Sequence, residues 1–233
     1  MPLVISVITI HPSIIQAYCE IGVIGRALKA QTLKVHALDL RDYSMDPRGR
    51  RVDDRPYGGG EGMVLRPEPL SLAVESLGSP IHRVALGPRG KPWSQKEALK
   101  LSQIDKPIVL ICGRFGGIDE RFYQQYVDEE YSIGDYILSG GELPALVLID
   151  ALARFLPQAL GDRESVLCDS FGEGMGGLLE YPLYTRPEVF QGLGVPAVLR
   201  SGDHKKIEAW RREKSREVTA CYRPDLLAQP GHL

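Results

Sequence analysis

Four short β-branched runs alternate with helix-spaced segments in the first half of the chain, and this alternation limits the possible folds more than any other feature. LVISVITI (3–10), LKVHAL (33–38), RVALG (83–87) and PIVLIC (107–112) are the runs, and the segments around 14–30, 67–77, 94–101 and 119–127 carry apolar residues at helical spacing. Strands separated in this way pair in parallel and are covered by their connecting helices. The expected class is therefore α/β, a parallel sheet with a small helical domain after it. A helix is expected from Pro144, at its first position, to Leu156, with Leu146, Ile149 and Ala153 on one stripe and Asp150 and Arg154 spaced for an ion pair. From Pro157 to Gly177 glycine and polar residues dominate, as in a linker. His204 to Thr219 then reads as a charged helix; between Leu199 and Arg223, eight Lys or Arg residues face four Asp or Glu. The chain is thus divided into an α/β domain over 1–160, a linker over 161–177 and a helical domain over 178–233.

Charge and cysteine usage exclude several classes of function. With 28 Lys and Arg against 30 Asp and Glu, the chain does not coat nucleic acid by bulk charge, although a local basic surface is compatible with these totals. Cys19, Cys112, Cys168 and Cys221 are scattered without a C-x-x-C pair, which argues against a zinc knuckle or a disulfide framework and for a reducing, cytoplasmic setting. The apolar block near the start is interrupted by His11-Pro12-Ser13, far short of the twenty or so residues that span a bilayer.

The glycines mark where chemistry is expected. YSIGDYILSGGELPALVLIDALARF (131–155) sets Gly134, Ser139, Gly140 and Gly141 in an apolar run, a pattern that brings main chain close to a ligand. In ICGRFGGIDERF (111–122), Gly113 follows a buried strand and Asp119 opens a helix, the place where open α/β sheets bind ligands. DDRPYGGGEGMVLRPEPL (53–70) is either a surface loop or one that offers amides, Arg55 and Arg66 to an anion or a base. GEGMGG (172–177) fits the spacing of a dinucleotide fingerprint, but Pro182 and Pro187 follow where that fingerprint needs a helix, so it reads as linker. Asp169 alone could be a turn residue. Lys205, Lys206, Arg211, Arg212, Lys214 and Arg216 are either a solvated face or an RNA-binding one, and Trp210 and Tyr222 nearby favour RNA, since bases stack on aromatic rings.

Taken in order, DDRPYGGGEGMV, GRFGGIDER, SIGDYILSGGELPA, DSF, LYTRPEV, VPAVLRSGDH and IEAWRR closely resemble the TrmD family of bacterial tRNA (guanine-N1)-methyltransferases, of the SPOUT class. The resemblance implies a deep trefoil knot in the α/β domain, an obligate homodimer whose sites combine both protomers, and transfer of a methyl group from S-adenosylmethionine to N1 of the guanosine immediately 3′ of the tRNA anticodon. It implies a donor pocket from three loops: Leu86, Gly87 and Pro88; Gly113 and Phe115 about Arg114; and Ser132, Ile133, Gly134, Tyr136, Ile137, Leu138, Gly140, Gly141 and Pro144, with Gly140 and Gly141 admitting main chain to the adenosine. Asp169 is implied as general base and Arg154 as the cation on guanine O6. Arg186, Lys205, Lys206, Arg211 and Arg212 are assigned to tRNA. Mg²⁺ is implied without assignable ligands. Two features depart from the family pattern. Gly116 stands where a Glu is usual, and DSFGEGMGGLLEYPLYTRP carries three extra residues, Glu173 and Glu180 for Asp, and Leu183 for His. The alternatives are an RNA-binding homologue without catalysis and a knotted methyltransferase acting on another RNA.

Overall fold

A strand covered on both faces is buried along its length and mostly apolar, and β1 (Leu3–Thr9) is of this kind, with only Val4 less than buried and Ser6 and Thr9 its polar members. In the computed structural model, which describes residues 1–47, 49–157, 159 and 169–228, β1 lies inside a five-stranded sheet. Its partners are β2 (Leu33–Asp39) on one side and, on the other, β6 (Ile108–Cys112), followed by β5 (His82–Pro92) and β7 (Glu129–Ser132), and every neighbouring pair is parallel. A two-residue antiparallel ladder of β3 (Asp53–Asp54) and β4 (Val64–Leu65) brackets the glycine cluster at 58–62.

The period-two alternation of the strands sorts the core into two layers. Ile108, Leu110 and Cys112 of β6 join Ile5 and Val7 beneath α1 (Pro12–Cys19), α2 (Gly22–Lys29), α4 (Gln95–Ser102) and α6 (Glu142–Ala153). Val109 and Ile111 point the other way with Ile8, beneath α3 (Pro67–Glu75) and α5 (Glu120–Tyr126). Helices on both faces of a parallel sheet are what the alternation of runs requires.

Three expectations need correction. The helical segment around 14–30 is two helices: α1 ends at Cys19, and Gly22, the first residue of α2, takes φ +61°, a conformation that a continuous right-handed helix does not hold. β7 is not among the four expected strand runs, and its last two residues open the stretch from Tyr131 that was expected to form a ligand loop. Its sequence Glu-Glu-Tyr-Ser hides it, since an edge strand tolerates charges that a central strand does not. Pro144 is the third residue of α6, which begins at Glu142 after Gly141; first-turn amides have no intrahelical acceptor, so a proline costs nothing there either.

The chain divides into two compact units, Met1–Gly161 and Asp162–Leu233. The segment read as linker lies outside the described residues as far as 168. In the second unit, the Phe171 amide donates to the Leu178 carbonyl (2.8 Å) and the Glu180 amide donates to Ser170 Oγ (2.9 Å), which closes residues 172–177 into a side loop. The long helix α7 (His204–Tyr222) docks by two polar residues. Ser215 Oγ donates to the Leu179 carbonyl (2.6 Å), and Thr219 Oγ1 accepts from the Leu179 amide (3.0 Å). A short hairpin of β8 (Val189–Phe190) and β9 (Leu193–Gly194) completes the unit's strands among the described residues.

Candidate functional site

Three loops meet at the carboxyl ends of β5, β6 and β7, and each is positioned for a definite reason. β5 leaves its pairing with β7 at Leu86 and resumes it at Lys91, so Gly87 to Gly90 are pushed out of the ladder as one rim. β6 ends at Cys112, and the loop that follows is pinned to β4: the Gly116 amide donates to the Met63 carbonyl (2.7 Å) and the Leu65 amide to the Gly117 carbonyl (2.9 Å). The loop after β7 folds back onto this one, with the Gly141 amide donating to the Gly113 carbonyl (2.9 Å) and Arg114 bridged to Gly140 in antiparallel fashion.

Between these loops lies a cleft of about 240 Å³. Leu86, Gly87, Pro88, Gly113, Phe115, Ser132, Ile133, Gly134, Tyr136, Ile137, Leu138, Gly140, Gly141 and Pro144 all line it, so residues scattered over 59 positions of sequence come to one place. The structure adds a packing reason for glycine at 140 and 141. A Cβ on Gly141 would stand 2.6 Å from Cys112 Cα, and one on Gly140 would strike the Glu142 carboxylate and sit 3.0 Å from Arg114 Cδ. The missing side chains let loop pack on loop, and the cleft exists because they do.

Arg114, Gly116, Gly117, Tyr123, Tyr131 and Ser139 line the cleft as well; Arg114 and Ser139 fall within the loops the resemblance implied, and the other four were not assigned to it. Arg114 was legible as the cation inside GRFGG; Tyr123 comes from α5 and had no local signal. Burial and the Glu130 charge push the Tyr123 phenol up to about 12, so it is neutral at physiological pH. Burial likewise pushes the Cys112 thiol up, and the neighbouring Glu142 charge adds to this. Among the described lining residues none is a carboxylate or an imidazole, so the cleft can hold and orient a nucleoside but has no group suited to accept a proton at neutral pH.

The candidate acid–base residues are not among those that line the cleft. Arg154 caps the carboxyl end of α6, its amide on the Asp150 carbonyl (3.3 Å). Asp169 begins the described part of the second unit, and its carbonyl accepts from the Gly172 amide (2.9 Å). Despite the three additional residues, Glu180 keeps company with Asp169, because the inserted residues sit in the closed side loop. Partial burial raises the Glu180 carboxyl, the Asp169 charge raises it further, and Arg211 opposes both.

Among the basic residues, Arg211 packs its guanidinium over the Tyr181 ring at 4.9 Å, with its Nε buried and without a hydrogen-bond acceptor. Lys206 pairs with Asp203 (3.2 Å) and Arg212 with Glu208 (3.1 Å), while Lys205 and Arg186 are exposed. The described residues contain no group of three or more His, Cys, Asp or Glu side chains that could hold a metal ion. None of the described helices is long and apolar enough to cross a membrane.

Known proteins resemble this chain over nearly its whole length. A family model described as tRNA (Guanine-1)-methyltransferase TrmD matches residues 3–229. A tRNA (guanine-N(1)-)-methyltransferase of Dechloromonas aromatica is 47% identical over 229 residues, covering 95% of this chain and 89% of that protein. The enzyme of the same name from Nitrosomonas europaea is 48% identical over 237 residues, covering 98% and 86%. That of Haemophilus influenzae strain Rd is 47% identical over 227 residues, covering 96% and 90%. The chain therefore belongs to the TrmD family of tRNA (guanine-1)-methyltransferases.

Proposed function

We propose that this chain transfers the sulfonium methyl group of S-adenosylmethionine to N1 of the guanosine immediately 3′ of a tRNA anticodon. One observation carries the reading: in a chain that matches the family from end to end, every residue assigned to the donor converges on a single cleft. The cleft fits such a donor. Its walls are apolar at Leu86, Ile137 and Leu138 and its glycines leave main chain at the surface, which suits an adenosine read by shape and backbone hydrogen bonds.

N1 of neutral guanine carries a proton, so a base is required, and the cleft offers none. Asp169 is assigned to accept that proton, and Arg154 to stabilise the negative charge that develops on O6. General-base assistance contributes about 10²–10⁴-fold and a donor aimed at developing charge about 10²–10³-fold. When bound, the donor supplies a methyl group on positively charged sulfur; the protein's task is to hold base, guanine and donor in line. No protein ligands for Mg²⁺ are evident among the described residues, and no step is routed through a metal.

The same reading extends to a trefoil knot, a cytoplasmic setting and a homodimer. The antiparallel bridge that lays the loop after β7 across the loop after β6 is compatible with the knot. For the dimer, Ile14 and Tyr18 of α1 and Leu143 and Val147 of α6 leave an apolar surface on two helices that pack together, an arrangement that a two-fold interface would cover. The exposed cations of α7 would meet tRNA phosphates.

A second reading, an RNA-binding homologue without catalysis, is favoured only by Gly116. Methyl transfer to tRNA transcripts with guanosine or adenosine 3′ of the anticodon, followed by mapping of the product, decides between them. Labelling of N1 in the guanosine transcript alone is expected. No transfer to either transcript, with tRNA binding intact, would favour the second reading.

A further inference from the structure

We propose that Arg114 is the residue that takes the carboxylate of the donor's amino-acid part, and that Glu142 is a positioning residue that holds it for this purpose. The inference rests on the reading of the cleft as the donor site and deepens it. Among the described lining residues Arg114 has the one charged side chain. S-adenosylmethionine carries a sulfonium, an ammonium and a single carboxylate at neutral pH. A guanidinium in the cleft can therefore be matched only to that carboxylate, which its planar donors suit.

The pair is built into the cleft by both loops. Arg114 Nη1 lies 3.8 Å from Glu142 Oε2, close enough for charge attraction and too far for a hydrogen bond, so the guanidinium donors stay available to a ligand. Glu142 is itself fixed. Its side chain is 5% exposed, its Oε1 accepts from Thr9 Oγ1 (2.8 Å), and it occupies the first turn of α6, where the helix dipole favours an anion. Arg114, at 28% exposure, is the member that reaches the cleft. Gly140 lies between them, and any side chain there would part the two charges.

A role in stability alone accounts poorly for the arrangement. A buried ion pair contributes little net stability compared with an apolar pair of the same volume. A role toward the ligand accounts for both charges: the guanidinium attracts the carboxylate, and Glu142 behind it offsets the repulsion it would exert on the sulfonium.

The test is calorimetric, on the full chain without tRNA, with S-adenosylhomocysteine and with 5′-methylthioadenosine, which keeps the nucleoside and thioether and lacks the amino-acid part. Arg114→Gln should lose about tenfold to a hundredfold in affinity for S-adenosylhomocysteine and bind methylthioadenosine as wild type does, because one charge-assisted contact is removed. Unchanged methylthioadenosine binding also certifies that the cleft is folded. Glu142→Gln, which keeps an acceptor for Thr9, should lose part of the same preference, and Arg114→Lys should retain part of it. Equal losses for the two ligands in Arg114→Gln, or no loss for either, would overturn the role of Arg114. A full preference in Glu142→Gln would overturn the role of Glu142. If wild type bound neither nucleoside, the donor reading would fail and this inference with it.

Discussion

The amide of Gly141 donates to the carbonyl of Gly113 at 2.9 Å, with Cys112 Cα so near that a Cβ on Gly141 would stand 2.6 Å from it. This contact fixes the loop after β7 against the end of β6. Gly141→Val would put a branched side chain into closed backbone, where overpacking costs about 1–3 kcal/mol. Donor affinity should fall by at least about tenfold and the thermal midpoint should drop with it. Calorimetry with S-adenosylhomocysteine and a melting curve check both. A variant with wild-type affinity would show that the two loops can separate without loss of the cleft.

Asp169→Asn removes a proton acceptor and keeps the side chain's size. Methyl transfer should fall by at least about 10²-fold in single turnover, with donor and tRNA affinities preserved. The neighbouring Glu180 supplies a control. Its raised carboxyl is the group most easily mistaken for the base, so Glu180→Gln should lose far less rate than Asp169→Asn. The reverse order would move the base to Glu180.

What could be read from the sequence, and what could not, follows from the range of each interaction. Strand runs such as PIVLIC depend on local composition and the buried face of α6 on local spacing, and both stand in the structure. β7 does not show itself in the sequence, because an edge strand is defined by its partner β5 and not by its own Glu-Glu-Tyr-Ser. The docking of α7 was equally hidden: Ser215 and Thr219 look like surface residues until the backbone of Leu179 lies across them. In the cleft, the glycines were visible and their packing was not, since Gly141 abuts Cys112 only once the two loops are folded together.

The cations of α7 do not share one role. Lys205 and Arg212 are exposed, whereas Arg211 packs on Tyr181 with a buried Nε. Lys205→Glu with Arg212→Glu should weaken tRNA binding and flatten its dependence on salt, because counterion release scales with phosphate contacts. Arg211→Ala should instead lower the stability of the second unit. Filter binding at several salt concentrations checks the first, and an unchanged slope would make those charges a solvated face.

Asp128 ties the start of β5 to the approach to β7. It accepts from the Arg83 amide (2.8 Å), Nε (2.9 Å) and Nη2 (2.6 Å), and the Arg83 side chain holds its carboxyl below the usual range. A lowered carboxyl contributes stability above its unfolded pKa of about 3.9 and loses it as pH falls through the folded value. Asp128→Asn should therefore cost about 1 kcal/mol at neutral pH, a low figure because the pair is partly exposed. The difference from wild type should close as pH falls below about 4. Denaturant titrations at neutral and acid pH measure it, and a gap that persists in acid would assign the effect to shape and not to charge.

Gly116 invites a simple repair, Gly116→Glu, which restores the residue usual in the family. The structure predicts that the repair is not simple. A Cβ on Gly116 would stand 2.9 Å from the Met63 carbonyl, the acceptor of Gly116's own amide at 2.7 Å. The same strip carries the Leu65 amide on the Gly117 carbonyl (2.9 Å) and the Asp119 amide on the Leu65 carbonyl (3.1 Å), so a displaced Met63 would strain contacts that position β4 and the start of α5. Gly116→Glu should destabilise the first unit by about 1–3 kcal/mol and speed hydrogen exchange at the Leu65 and Asp119 amides. Gly116→Ala isolates the cause: the Cβ alone should produce most of the loss, since the crowded atom is the first one added. Wild-type stability in both variants, with faster methyl transfer in Gly116→Glu, would mean that the glycine is a missing carboxylate and not a packing residue.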